Sequence, residues 1–134
     1  MIEAHWDLDT LRLFLHTLGA AVWVGGQVVI AAVIPAIRKV GAEATQIAAQ
    51  QFAKVAWPFF ALAVLTGFWN LLDVEFEDAA NSYHITLTIK VVLVIASGVA
   101  AWLHTKATQK RNIAMLGSIS GTTAIGALLA GIAL

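Results

Sequence analysis

Apolar residues fill this chain in four long blocks separated by short polar stretches, and each block reaches the length of about 20 residues that a helix needs to cross a bilayer. The blocks predict membrane spans over about 10–34, 52–72, 83–105 and 112–134. Pro35 and the pair Arg38-Lys39 are read as closing the first, and the acidic stretch Asp73, Glu75, Glu77, Asp78 as ending the second. Lys106, Lys110 and Arg111 separate the third from the fourth. Sequential spans joined by short connections favour neighbouring antiparallel helices. The predicted fold is therefore all-α, a four-helix transmembrane antiparallel bundle forming a single domain over residues 1–134.

Charge fixes the predicted orientation. Arg38, Lys39, Lys54, Lys106, Lys110 and Arg111 fall in or beside the first and third connections, whereas the second carries only carboxylates. Cationic loops stay on the cytoplasmic side, so a multi-pass protein of the plasma (inner) membrane with both termini outside is expected. The first nine residues are acidic rather than basic, which argues against a cleavable leader and for retention of the first span. Composition agrees: 60% of the 134 residues are hydrophobic, 12% are charged, mean hydropathy is +0.82 and the formal net charge is zero. No basic excess exists to hold nucleic acid. The absence of cysteine removes disulfides, thiolate metal sites and Cys nucleophiles.

The few polar residues inside the spans are in phase. Asp9, Arg12, His16, Trp23 and Gln27 share one helical face of the first span, and Tyr83, Thr86, Lys90, Ser97, His104 and Thr108 share one of the third. Ionisable residues are costly in a membrane and face a bundle interior or cavity, so these stripes mark candidate sites. Counted along each helix axis, His16 and Lys90 both lie roughly 10 Å below the outer surface, and a common outward-facing pocket between the two stripes is expected. Thr66 and Gly67 fall at that level of the second span, with Trp69 and Asn70 just above. His16 is equally accounted for by a hydrogen bond to a carbonyl or hydroxyl. Lys90 needs a carboxylate such as Asp9 or Asp73, a ligand anion, or a snorkelling path to water. Trp6, Trp69 and Trp102 lie near span ends as interfacial anchors, while Trp23 and Trp57 lie deeper, as pocket wall or as packing. His104 belongs to the opposite end from His16. In the fourth span Gly117, Gly121, Gly126 and Gly131, with Ser118, Thr122 and Ala127, form small-residue strips suited to close helix packing or to a homo-oligomer contact.

The run from His16 to Trp23-Val-Gly-Gly26 resembles the first-helix signature of the copper-resistance D (CopD) domain, an integral membrane family. Phe52-Ala-Lys-Val-Ala56 and Leu65-Thr-Gly67 are similar to that family's second helix, and Lys90 falls where its third helix carries a lysine. The related HemJ-type membrane protoporphyrinogen oxidases share the His-to-Trp spacing, the Pro58 to Gly67 spacing and the third-helix lysine. Their Phe-Asn-Glu-x-Pro-Thr segment is absent, residues 106–112 here reading Lys-Ala-Thr-Gln-Lys-Arg-Asn. Both resemblances imply a site built on His16 and Lys90.

Three functions follow from this. In the first, copper is captured by His16 with His5, His84 and the acidic loop and passed along the polar stripes; imidazole and carboxylate donors suit Cu(II) or zinc better than Cu(I). In the second, heme b is held by His16 as axial ligand, with Arg12 and Lys90 on its propionates and Trp23 beside it, exchanging electrons with a membrane redox partner. In the third the chain is a scaffold subunit of a larger membrane complex.

Overall fold

A computed structural model describes all 134 residues. It is all-α, with α1 (Leu8–Arg38), α2 (Ala42–Leu72), α3 (Asn81–Lys106) and α4 (Lys110–Ala133). All four helices are long and apolar enough to cross a membrane, and the chain is a multi-pass membrane protein. α1 packs on α2 within one compact unit, Met1–Val74, and α3 packs on α4 within a second, Glu75–Leu134. Each unit is an antiparallel helical hairpin.

Two helix ends depart from the hydropathy reading. α1 runs through Pro35 to Arg38 instead of closing before it. Proline removes only its own N–H from the ladder, here the bond to the Ala31 carbonyl, and at the end of a long apolar helix the remaining bonds still favour another turn. α2 starts at Ala42, well before Phe52. The segment Ala42-Glu-Ala-Thr-Gln-Ile-Ala-Ala-Gln-Gln51 is too polar to register as a span, yet it is rich in strong helix formers and extends the helix beyond its apolar stretch. The starts of α3 and α4 lie within a turn of those expected.

Asp7 caps α1. Its Oδ1 accepts hydrogen bonds from the Thr10 backbone N–H and hydroxyl, both 2.9 Å, and these hold its carboxyl below the usual aspartate range. At the other end, α1 and α2 are joined through Lys39, Val40 and Gly41. Gly41 has φ 155° and ψ 163°, a conformation open essentially to glycine alone, although a Cβ there would meet nothing within 4 Å. Gly41→Ala is therefore expected to destabilise the first hairpin by about 1 to 3 kcal/mol through backbone strain alone. Thermal melts of the two proteins in the same detergent check this, and equal midpoints would show that the turn relaxes freely.

Few residues are buried, and those that are tend to be small. In the first hairpin they are Gly19, Trp23, Val24, Ala56 and Thr66. In the second they are Ser97, Gly98, Ala100, Ser120, Ala124 and Ala127. Large apolar side chains such as Leu13, Phe14, Val28, Leu65 and Phe68 point outward, as lipid-facing residues do. With no hydrophobic drive between helices in lipid, close backbone approach and interhelical hydrogen bonds hold each pair together. In the second hairpin Ser97 donates to the Ser120 carbonyl and Ser120 to the Ser97 carbonyl, each at 2.9 Å.

Candidate functional site

The polar stripe of α1 lies against a matching stripe of α2. Asp9, Arg12 and His16 on one helix recur at helical spacing, and so do Thr66, Asn70 and Asp73 on the other. Antiparallel packing brings His16 to Thr66 and Arg12 to Asp73.

His16 Nδ1 lies 2.9 Å from the Ala63 carbonyl oxygen and 3.1 Å from Thr66 Oγ1. A carbonyl only accepts, so Nδ1 carries the proton, and in the neutral ring the lone pair is on Nε2. Thr66 turns its own hydroxyl proton to the Leu62 carbonyl at 2.6 Å, leaving its oxygen to accept from the imidazole. Gly67 makes this bond accessible. The Ala63 carbonyl already serves as the helical acceptor for residue 67, and a Cβ on Gly67 would stand 3.3 Å from His16 Cε1. Sequence depth had placed Thr66 and Gly67 at this level, but the Ala63 carbonyl leaves no mark in a sequence.

Arg12 is 11% exposed at its side chain and is held by two carboxylates, Asp9 at 3.2 Å and Asp73, with its guanidinium 5.9 Å from the Trp69 ring centroid. Arg12 Nε and Asn70 Oδ1 are buried without a hydrogen-bond partner. Asp9 and Asp73, considered from sequence as partners for Lys90, instead serve Arg12, which is close to them on the same hairpin. Deeper along α1, Trp23 packs with Trp57 (centroids 5.2 Å) and Phe60 (4.4 Å). Gly26 admits Phe52, whose ring edge would be 2.9 Å from a Cβ there.

In the second hairpin the polar stripe of α3 packs on α4. Lys90 lies against Gly131, Ser97 against Ser120 and His104 against Gly117. The sequence reading had offered the first span as partner for this stripe; within this hairpin, α4 is the helix these three side chains engage. Asp9 and Asp73 are both engaged by Arg12, and Lys90 makes no ion pair with a carboxylate. Lys90→Met is accordingly expected to raise the stability of ligand-free protein by about 1 kcal/mol, by removing an unpaired cation from an apolar helix. A lower melting temperature in the Met variant would contradict this.

His84 stacks on Phe76, with centroids 6.1 Å apart, and meets the Tyr83 ring edge-on at 6.3 Å. His5 contributes its main-chain carbonyl to the Thr10 hydroxyl, and its side chain is exposed. Neither hairpin gathers three His, Asp or Glu side chains as a metal-ion cluster. What the first hairpin provides is one oriented imidazole beside a neutralised arginine. No family model, no curated protein and no solved structure matches this chain.

Proposed function

We propose that this chain is a plasma-membrane protein, both termini outside, that carries a metal-centred group on His16, and that the group is heme b. The observation that carries the reading is the bond from His16 Nδ1 to the Ala63 carbonyl. Metal-ligating histidines characteristically donate their other ring N–H to a carbonyl or carboxylate, which fixes the tautomer and raises the basicity of the ligating nitrogen. A bare ion needs several protein donors, whereas a porphyrin brings four nitrogens of its own and asks the protein for one axial imidazole. One oriented imidazole without a converging set of further donors suits the second requirement. When bound, heme b supplies one-electron chemistry at the depth of His16. The chain orients the ring through Ala63, Thr66 and Gly67, while Arg12, held by Asp9 and Asp73, ties α1 to α2 beside it.

Copper handling is the second reading, favoured by the resemblance of the His16 to Gly26 run to the CopD family. It takes the ligands beyond His16 from water or from a delivering partner. The absorbance spectrum and elemental analysis of protein purified in detergent separate the two. A Soret band supports heme b, and a colourless preparation with stoichiometric copper supports the second reading. A preparation with neither overturns both and leaves the scaffold role.

A further inference from the structure

Three buried side-chain polar atoms make no hydrogen bond, Arg12 Nε, Gln27 Nε2 and Asn70 Oδ1, and all three belong to the first hairpin. A native fold rarely leaves such atoms without a partner, and the cost grows inside a membrane, where bulk water does not reach. Gln27 stands about 22 Å along α1 from Arg12 and is a donor with no orphaned acceptor at its level. Arg12 Nε and Asn70 Oδ1 are a complementary pair, one donor and one acceptor on facing helices.

Their placement follows from the contacts on either side. Thr66, Asn70 and Asp73 recur one turn apart on a single face of α2; Thr66 meets His16, and Asp73 meets Arg12. On α1, Arg12 and His16 are likewise one turn apart. Asn70 therefore lies between two points at which α2 touches α1, and the ring centroid of its neighbour Trp69 is 5.9 Å from the guanidinium. The terminal nitrogens of that guanidinium are already engaged, Nη1 donating to Asp73 and Nη2 lying 3.2 Å from Asp9 Oδ1. Nε–H is the donor left over, and the Asn70 side-chain carbonyl keeps two open lone pairs.

A group that satisfies both atoms must accept from Nε–H and donate to Oδ1. An anion only accepts, and two carboxylates already cover the guanidinium; a cation only donates, and would face that guanidinium's charge. A neutral hydroxyl does both. Water is the hydroxyl with access, because Asp73, one turn beyond Asn70 at the end of the hairpin away from the Lys39–Gly41 turn, is 57% exposed.

We infer that the first hairpin holds one trapped water between Arg12 Nε and Asn70 Oδ1, bridging α1 to α2 one turn from the His16 bond. The site uses neither ring nitrogen of His16, so it stands whatever His16 carries. Asn70 is a ligand of that water.

The test is NMR of the isotope-labelled full-length protein in detergent micelles, reading water contacts at arginine Nε–H in paired nuclear Overhauser and rotating-frame spectra. The chain has three arginines, and Arg38 and Arg111 are exposed. Those two exchange with bulk water and give peaks of one sign in both spectra; Arg38→Lys and Arg111→Lys remove their signals, which leaves Arg12 identified. Arg12 is expected to give a water peak that reverses sign between the two spectra, the mark of a held molecule. Asn70→Leu should abolish that peak and lower the melting temperature by about 3 °C or more, since the water then loses its acceptor and Nε–H its bridge. If the two atoms are unbonded instead, Asn70→Leu removes an orphaned acceptor and the protein melts higher. The parent spectrum decides without any variant at Asn70: no water peak at Arg12, or one of the same sign in both spectra, overturns the inference. A sign-reversing peak that survives Asn70→Leu also overturns it, as does an Asn70→Leu protein that melts at or above the parent.

Discussion

Gly19→Ala is expected to destabilise the first hairpin by about 3 kcal/mol, the upper range for adding a methyl group where there is no room. A Cβ at Gly19 would stand 2.8 Å from both the Ala63 nitrogen and the Phe59 carbonyl oxygen, and 3.0 Å from the Ala63 Cβ. Two of these neighbours are backbone atoms of α2, which no rotamer change can move. α1 and α2 must separate instead, and the contact that seats His16 on Ala63 lies on the same stretch. Gly25→Ala is the matched control, since a Cβ there meets nothing within 4 Å. With no clash, that substitution gains helix propensity and should leave the melting temperature unchanged or slightly raised. Melting curves of the two variants read the difference, and equal loss in both would show that general intolerance of alanine, rather than close approach at Gly19, sets the effect.

The second large effect is expected from removing both partners of Arg12. Asp9→Asn and Asp73→Asn singly should each cost under about 1 kcal/mol, because the two carboxylates are 68% and 57% exposed and either one still covers the guanidinium. Together they strand a cation whose side chain is only 11% exposed. Breaking a buried pair costs about 3 to 5 kcal/mol, and the exposure of the acids places this case near or below the lower figure. The diagnostic result is non-additivity in a double-mutant cycle, the double variant losing clearly more than the sum of the singles. Strict additivity would mean that Arg12 finds water as readily as it finds either acid.

The existence of four membrane-length helices was legible in hydropathy because apolar length is a property of the sequence itself. Where α2 begins was not, since residues 42–51 are helical by propensity and not by apolarity. The in-phase stripe through Arg12 and His16 was legible from helical periodicity, and depth counting put Thr66 and Gly67 beside His16. The acceptors were harder. A main-chain carbonyl is present at every position, and only the crossing of α1 over α2 selects Ala63. The pairing of Asp73 with Arg12 likewise depends on a contact between residues far apart in the chain. His104 was separated from His16 by its position along its helix, but its contact with α4 runs to the Ile113 carbonyl, which leaves no mark in a sequence, and past Gly117, legible only as part of a small-residue strip.

The central claim is that the imidazole of His16 is a metal donor and not only a link between helices. The direct measurement is the amount of bound metal-centred group per chain in His16→Gln against the parent, together with the melting temperature of both after the group has been stripped. Glutamine retains a donor for the Ala63 carbonyl, so a purely structural histidine would be replaced with little change in bound group. If His16 is the donor, the variant loses one equivalent of bound group per chain, while the stripped proteins melt within a few degrees of each other. Undiminished content in His16→Gln would contradict the claim.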